Sequence, residues 1–243
     1  MPDASSARTV IDPPSGGSVM EIAAHPDDIE LWCGGTLARA VDAGAQVRLL
    51  LVTSGDKGSA DPDADPASVA TTRENEAREA ARVLGLADIA FLRWRDGEVE
   101  NTHELRGEMV AWIRAWRPDV LFTHDPEHPE PPYLRHRDHV VAGRAALDAV
   151  YPLARDPLAF PEQRAQGLTS HKVGEIWLFA SAVANRAVDI GKTLEQKIAA
   201  RLEHESQTSD REAMIARWRK RAFQTGTPFN LTAAETFTVL TID

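Results

Sequence analysis

The chain has 243 residues, of which 43% are hydrophobic and 26% charged, with a formal net charge of −10 at pH 7. That length can bury a substantial core in one domain, and the acidic balance, with lysines and arginines scattered, disfavours nonspecific binding to nucleic acid or to an anionic membrane surface. The single cysteine, Cys33, excludes an intrachain disulfide; with no apolar run of membrane-spanning length and no signal-peptide pattern ahead of the domain, the expectation is no membrane and a cytoplasmic location.

Residues 1–17, rich in Ser, Pro, Gly and Asp, read as a flexible leader, with a single domain over 18–243. A strand is expected over 18–24, then a helix over 29–43, where Ile29, Cys33, Leu37 and Val41 recur at helical spacing. Strand 46–53, helix 70–84, strand 88–92, helix 102–116 and strand 119–123 follow. Helix 138–149, strands near 174–180 and 186–190, two polar helices between 191 and 223, and a strand at 236–241 complete the chain. The repeated alternation predicts an α/β fold, a three-layer, mostly parallel Rossmann-like sheet with right-handed crossovers and helices on both faces. Gly34 and Gly35 lack the GxGxxG spacing of a dinucleotide loop and fall inside the helical pattern, so they read as close packing of helix on sheet.

His25-Pro26-Asp27-Asp28 joins the first strand to the first helix, at the edge where open α/β sheets bind ligands. His25 and Asp28, three positions apart, can point at one ion while Asp27 faces elsewhere. Pro26 fixes its own φ and stiffens the turn. The competing reading is that one of the aspartates only caps the helix. A second cluster, Arg135-His136-Arg137-Asp138-His139, opens another helical pattern after the proline-rich loop 125–132 and places two histidines where they can reach one site. Two histidines, one aspartate and an open position for water compose a catalytic rather than a structural zinc centre.

HPDD after a first strand, GGT shortly after it and a later HxDH resemble the PIG-L or LmbE-like family of zinc-dependent N-deacetylases. Thr53-Ser54-Gly55-Asp56-Lys57-Gly58, Arg73-Glu74-Asn75-Glu76, Leu84-Gly85, Arg117-Pro118-Asp119-Val120 and His204-Glu205-Ser206-Gln207 match it in order, over residues 18–240. The resemblance implies His25, Asp28 and His139 as metal ligands, Asp27 as general base, His136 as transition-state stabiliser and Asp138 as the carboxylate that orients a histidine ring. It implies Zn2+, with Fe2+ or Co2+ also compatible with the ligand set. It further implies a glucosamine-containing small molecule or glycoconjugate as substrate, losing an N-acetyl or related N-acyl group, and a homo-oligomer as the common assembly.

Loops 54–70 and 124–134 are expected to shape the substrate pocket. Arg73 is a candidate for substrate hydroxyls or a carboxylate, against a surface ion pair with Glu74 or Glu76. Asp96, before Gly97, is a candidate for sugar hydroxyls, Tyr133 for sharing the oxyanion with His136, and His124 for lining the pocket. His103, His171 and His204 read as structural or exposed. Two other functions fit the same residues: a non-haem Fe(II) enzyme using the two-histidine, one-carboxylate set, and a metal-binding module without turnover. The strand-helix alternation and the spare Asp27 argue against the first; substitution of Asp27 separates the second.

Overall fold

The computed structural model describes residues 9–128 and 136–242. In chain order they form β1 (Thr9–Val10), β2 (Ser18–Ala23), α1 (Asp28–Trp32), α2 (Gly34–Asp42), β3 (Gln46–Thr53), α3 (Pro66–Leu84), β4 (Asp88–Trp94), α4 (His103–Trp116), β5 (Val120–His124), α5 (Arg137–Asp148), α6 (Pro161–Ala165), β6 (Glu175–Phe179), β7 (Arg186–Asp189), α7 (Leu194–Leu202), α8 (Arg211–Gly226) and β8 (Ala234–Thr241). The eight strands make one sheet in the order β1-β7-β8-β6-β5-β2-β3-β4. All neighbouring pairs are parallel except β6 with β8 and β7 with β8.

Alternate residues of the central strands feed two cores. Val19, Ala23, Val47, Leu49, Leu51 and Phe122 face one layer, where Leu37, Ala80, Leu84, Ala200 and Ala222 come down from α2, α3, α7 and α8. Met20, Ile22, Leu50, Val52 and Leu121 face the other, against Leu105, Met109 and Ile113 of α4 and Ala142, Ala145 and Ala146 of α5. Strands buried on both faces read as continuous apolar runs, as β3 does. The expected three-layer α/β arrangement is therefore the one found.

The connection order decides where chemistry can sit. From β2 the chain moves outward through β3 and β4, then returns to place β5 on the other side of β2. The carboxyl ends of β2 and β5 thus flank the point where the winding reverses, the position at which such sheets leave a crevice. The residues immediately beyond them are His25 to Asp28 and Asp125.

Several boundaries differ from expectation for physical reasons. The sheet does not begin at Ser18, because Thr9 and Val10 pair in parallel with Arg186 and Ala187. A single helix over 29–43 is interrupted at Cys33, whose backbone leaves helical geometry (φ −141°, ψ 2°). Glu235, from β8, accepts from the backbone N–H groups of Gly35 (3.0 Å) and Thr36 (2.7 Å) and from the Thr36 hydroxyl (2.6 Å), so a distant carboxylate caps the restarted helix α2. A Cβ on Gly35 would stand 2.9 Å from Ile190, which confirms the close-packing reading of that glycine. Helix α3 begins at Pro66 rather than 70, since Asp65 accepts from the N–H groups of Ala67 and Ser68 and Pro66 suits the first turn.

Helix α5 lies so close to β5 that a Cβ on Gly143 would stand 2.5 Å from the carbonyl oxygen of His124. The same helix carries His139 towards the crevice. Gly143→Ala is expected to push α5 outward and lower stability by about 1–3 kcal/mol, with weakened metal retention beyond the stability loss; thermal unfolding together with zinc titration checks this.

Candidate metal centre

β2 ends at Ala23, and its last apolar residues hand the chain to a turn whose side chains are nearly buried: His25 is 7% and Asp28 6% exposed. Asp28 opens α1 and its Oδ2 accepts the backbone N–H of His25 at 2.8 Å, which locks the turn. His136 precedes α5, and its Nδ1 accepts the N–H of Asp138 at 3.2 Å as a helix cap. One turn on, His139 reaches the same crevice.

Three donor atoms then converge. His25 Nδ1 lies 3.1 Å from His139 Nε2 and 3.5 Å from Asp28 Oδ2, and His139 Nε2 lies 3.1 Å from Asp28 Oδ1. Tetrahedral zinc with bonds of about 2.0–2.1 Å wants its donors roughly 3.3–3.4 Å apart, and these spacings lie close to that value. Three overlapping groups of donors lie close enough to hold a metal: His25, His136 and His139; Asp28, His124 and His139; and His25, Asp96 and Asp138. Among these His124 is the nearest rival, because its Nε2 is 3.3 Å from Asp28 Oδ2. That nitrogen also accepts the N–H of Ala24 at 3.2 Å. Burial, with His139 beside it, pulls the ring down to about 4, so His124 is neutral with its lone pair engaged.

The second nitrogen of His25 is held as metal-binding imidazoles require. Nε2 is 3.1 Å from Asp96 Oδ1 and 3.4 Å from Asp138 Oδ2. Burial works to lower the His25 ring, yet hydrogen bonds to Asp138, Asp28 and Asp96 raise it well above the ordinary histidine value. Asp138, fully buried, also accepts from Gly97 N–H at 2.6 Å. For Asp28, burial pushes the carboxyl up while His139 and His124 hold it well below the usual range. His136, whose ring centroid is 4.6 Å from His25 and 5.0 Å from His139, is lowered by burial and by both neighbouring rings.

Asp27 takes a different direction. Its backbone sits at φ 143°, a conformation side-chain-bearing residues rarely adopt, and its carboxylate makes no cap to α1. Oδ1 instead accepts from Arg73 Nη2 at 3.1 Å. Burial pushes this carboxyl up, with Arg73 opposing.

Arg73 is only 4% exposed and also donates to the carbonyls of Gly55 (3.1 Å) and Pro26 (3.2 Å). It pairs with neither Glu74 nor Glu76, and it holds the HPDD turn rather than standing at the surface. The glycines of Ser54-Gly55-Asp56-Lys57-Gly58 acquire a reason: a Cβ on Gly55 or Gly58 would lie 2.0 or 2.3 Å from the Arg73 guanidinium. Asp96 sits behind His25 and His124 behind Asp28, each placed to support the metal set. Tyr133, with residues 129–135 of the expected 124–134 loop, lies outside the described residues. Sequence reasoning passed over the buried ion pair His204 Nε2 to Glu30 Oε2 (3.3 Å). It also passed over Glu74, which accepts from Ser54 (2.7 Å), Arg93 (2.7 Å) and Arg78 (3.2 Å). Cys33 is fully buried with its thiol donated to Glu21 at 3.3 Å, and burial raises it further, so it is a packed residue and not a ligand.

A family model described as "PIG-L: GlcNAc-PI de-N-acetylase" matches residues 20–150. The chain is 34% identical over 189 residues to the diacetylchitobiose deacetylase of Thermococcus kodakarensis, covering 78% of this chain and 69% of that one. It is also 34% identical to the 1D-myo-inositol 2-acetamido-2-deoxy-alpha-D-glucopyranoside deacetylase of Streptomyces avermitilis, over 67% of this chain and 59% of that protein's length. The fold superposes with a TM-score of 0.86 and 29% identity on the N,N'-diacetylchitobiose deacetylase of Pyrococcus horikoshii, solved with its inhibitor MPG; the match covers 93% of this chain and 84% of that one.

Two outcomes follow from this geometry. Asp28→Ala is expected to abolish stoichiometric metal binding at matched folding, because it removes one donor and the acceptor that locks His25; elemental analysis of the two proteins checks it. The Glu74 carboxyl, which burial would raise, is brought by Arg93, Ser54 and Arg78 from 4.5 to about 2. A depressed carboxyl stabilises the fold above its unfolded value and loses that contribution as pH falls from about 4.5 towards 2. Glu74→Gln is expected to cost on the order of 2 kcal/mol near neutrality, discounted for solvent screening of the arginines. Its stability, measured by denaturant titration, should fall less than wild type's across that acid window.

Proposed function

We propose, because the chain belongs to the PIG-L (GlcNAc-PI de-N-acetylase) family, that it is a metal-dependent hydrolase removing an N-acetyl or related N-acyl group from the 2-amino position of a glucosamine-containing small molecule or glycoconjugate. The observation that carries this reading is the convergence of His25 Nδ1, His139 Nε2 and Asp28 Oδ1, with Asp27 beside them holding a carboxylate that contributes no donor to the set. The named activities of the Thermococcus, Pyrococcus and Streptomyces relatives, each a deacetylation of an acetamido sugar, support the substrate class.

His25, Asp28 and His139 would hold the ion, zinc being the metal best suited to two imidazoles and a carboxylate with an open fourth position. When bound, the ion supplies a lowered pKa for water and polarisation of the amide carbonyl. Asp27 takes the proton from water as it attacks and returns it to the leaving amine, a general-base and then general-acid role for a carboxylate whose pKa burial raises. Arg73 keeps that carboxylate in place. His136 spends Nδ1 on the Asp138 N–H, so its Nε2 carries the proton. That N–H is the group that donates to the developing oxyanion. Asp138 and Asp96 fix the His25 ring so that Nδ1 faces the ion.

The parallel α/β sheet is unlike the β-barrels on which two-histidine, one-carboxylate iron oxygenases are commonly built. Among the described residues no helix is long and apolar enough to cross a membrane.

The distinguishing experiment is Asp27→Asn assayed for amine release from N-acetylglucosaminyl substrates, alongside metal content. Hydrolysis is expected to fall by about 10²- to 10⁴-fold with metal stoichiometry unchanged. Undiminished amine release would remove Asp27 as the general base, and no amine release from the metal-loaded wild-type protein would make it a metal-binding module.

A further inference from the structure

We infer that Arg201 and the turn it braces, His204 to Thr208, complete with Arg73 a two-arginine socket that fixes the Asp27 carboxylate, which makes Arg201 a positioning residue for the hydrolysis proposed above. The inference rests on that reading for Asp27's role and on separate contacts for the socket.

Asp27 needs such a socket. Its backbone is strained at φ 143°, it caps no N–H of α1, and it must present one oxygen to a water molecule repeatedly and in one place. Arg73 reaches Oδ1 at 3.1 Å from α3, and Arg201 Nη2 stands 4.0 Å from Oδ2 at the end of α7. The two oxygens are thus flanked from two helices on one layer of the fold.

Arg201 is itself fixed. Its side chain is 11% exposed. Nη1 donates to Thr208 Oγ1 (2.7 Å) and to the His204 carbonyl (3.3 Å), and Nη2 to the Gln207 carbonyl (2.9 Å). The turn is then tied to the frame that holds Arg73. Gln207 Nε2 donates to the Gly58 carbonyl at 2.8 Å, and Gly58 packs against the Arg73 guanidinium too closely for any Cβ. Ser206 gives both its N–H and its hydroxyl to Glu76 of α3, each at 2.7 Å. His204, fully buried, anchors the turn from beneath by its 3.3 Å contact with Glu30, two residues beyond Asp28. His204, Ser206 and Gln207 therefore all serve one purpose, and two arginines from distant parts of the chain share a scaffold. A surface turn would need none of these ties.

A residue that acts only by placing the base should change turnover more than binding. Arg201→Met is expected to lower kcat on an N-acetylglucosaminyl substrate by about 10- to 100-fold, to leave KM within about threefold and to keep zinc content at wild-type stoichiometry. Arg201→Lys, which keeps a cation facing Asp27 but breaks the same ties to the turn, should recover most of the lost kcat. Crystal structures of the two variants supply a readout free of activity: the Asp27 carboxylate should leave its position in the Met variant and keep it in the Lys variant. Should the Met variant not fold, Gln207→Ala cuts the link to Gly58 while keeping both arginines, and a smaller loss of kcat with a displaced Arg201 is the expected result. Wild-type kcat with an unmoved Asp27 in Arg201→Met overturns the inference, and so do equal losses in the Met and Lys variants. If the wild-type protein hydrolyses no such substrate, the functional reading fails instead, and the Asp27 position in the variant crystals still decides the socket.

Discussion

Two imidazole nitrogens and the two oxygens of one carboxylate, with His25 and Asp28 buried and His139 partly so, stand within 3.5 Å of a neighbour in the set and need positive charge among them. Without it, lone pairs and a buried anion confront each other at a cost of several kcal/mol. With it, the same crowding becomes binding energy. Much of the surrounding structure keeps that crowding from relaxing. Asp28 accepts the N–H of His25, Asp138 and Asp96 take the far side of the His25 ring, and His124 accepts from Ala24 while stacking on His139 at 4.2 Å. Each contact removes a direction in which a ligand could turn away.

The fold supplies the place and the closeness. The reversal of winding between β2 and β5 leaves two strand ends side by side, and Gly143 lets α5 descend far enough for His139 to reach across. On the opposite layer, Glu235 caps α2 and accepts from the buried ammonium of Lys197, at 2.5 Å, and Lys197 also donates to the Leu31 carbonyl of the short helix α1 at 3.2 Å. A candidate metal site whose His25 and His139 stand 114 positions apart in sequence therefore inherits its rigidity from strands and helices rather than from the loops themselves.

The sequence was readable where a local pattern carries the information. The alternation of strand and helix pointed to the parallel sheet, and HPDD with HRDH marked candidate donors that the fold brings together, because three-residue spacings at helix starts have few geometric outcomes. Arg73 was singled out, but its partner was not, since an ion pair across 46 residues leaves no local trace. The break at Cys33 was invisible for the same reason: the carboxylate that caps the restarted helix lies 200 residues on. Asp96 and His124 were read as substrate residues, and the fold adds contacts that the sequence does not show, Asp96 with His25 Nε2 at 3.1 Å and His124 with Asp28 at 3.3 Å. The glycines at 55 and 58 offered a signal that could have been used, because paired glycines around a turn often mark a close approach, here by a guanidinium.

The claim on which the rest depends is the composition of the ion's coordination shell, and X-ray absorption at the zinc edge of the reconstituted protein reads it directly. The account predicts a four-coordinate shell of nitrogen and oxygen at about 2.0–2.1 Å, with the multiple-scattering signature of two imidazoles and no sulfur. A sulfur scatterer near 2.3 Å, which only Cys33 or a methionine could supply, or an all-oxygen shell without imidazole scattering, would contradict it.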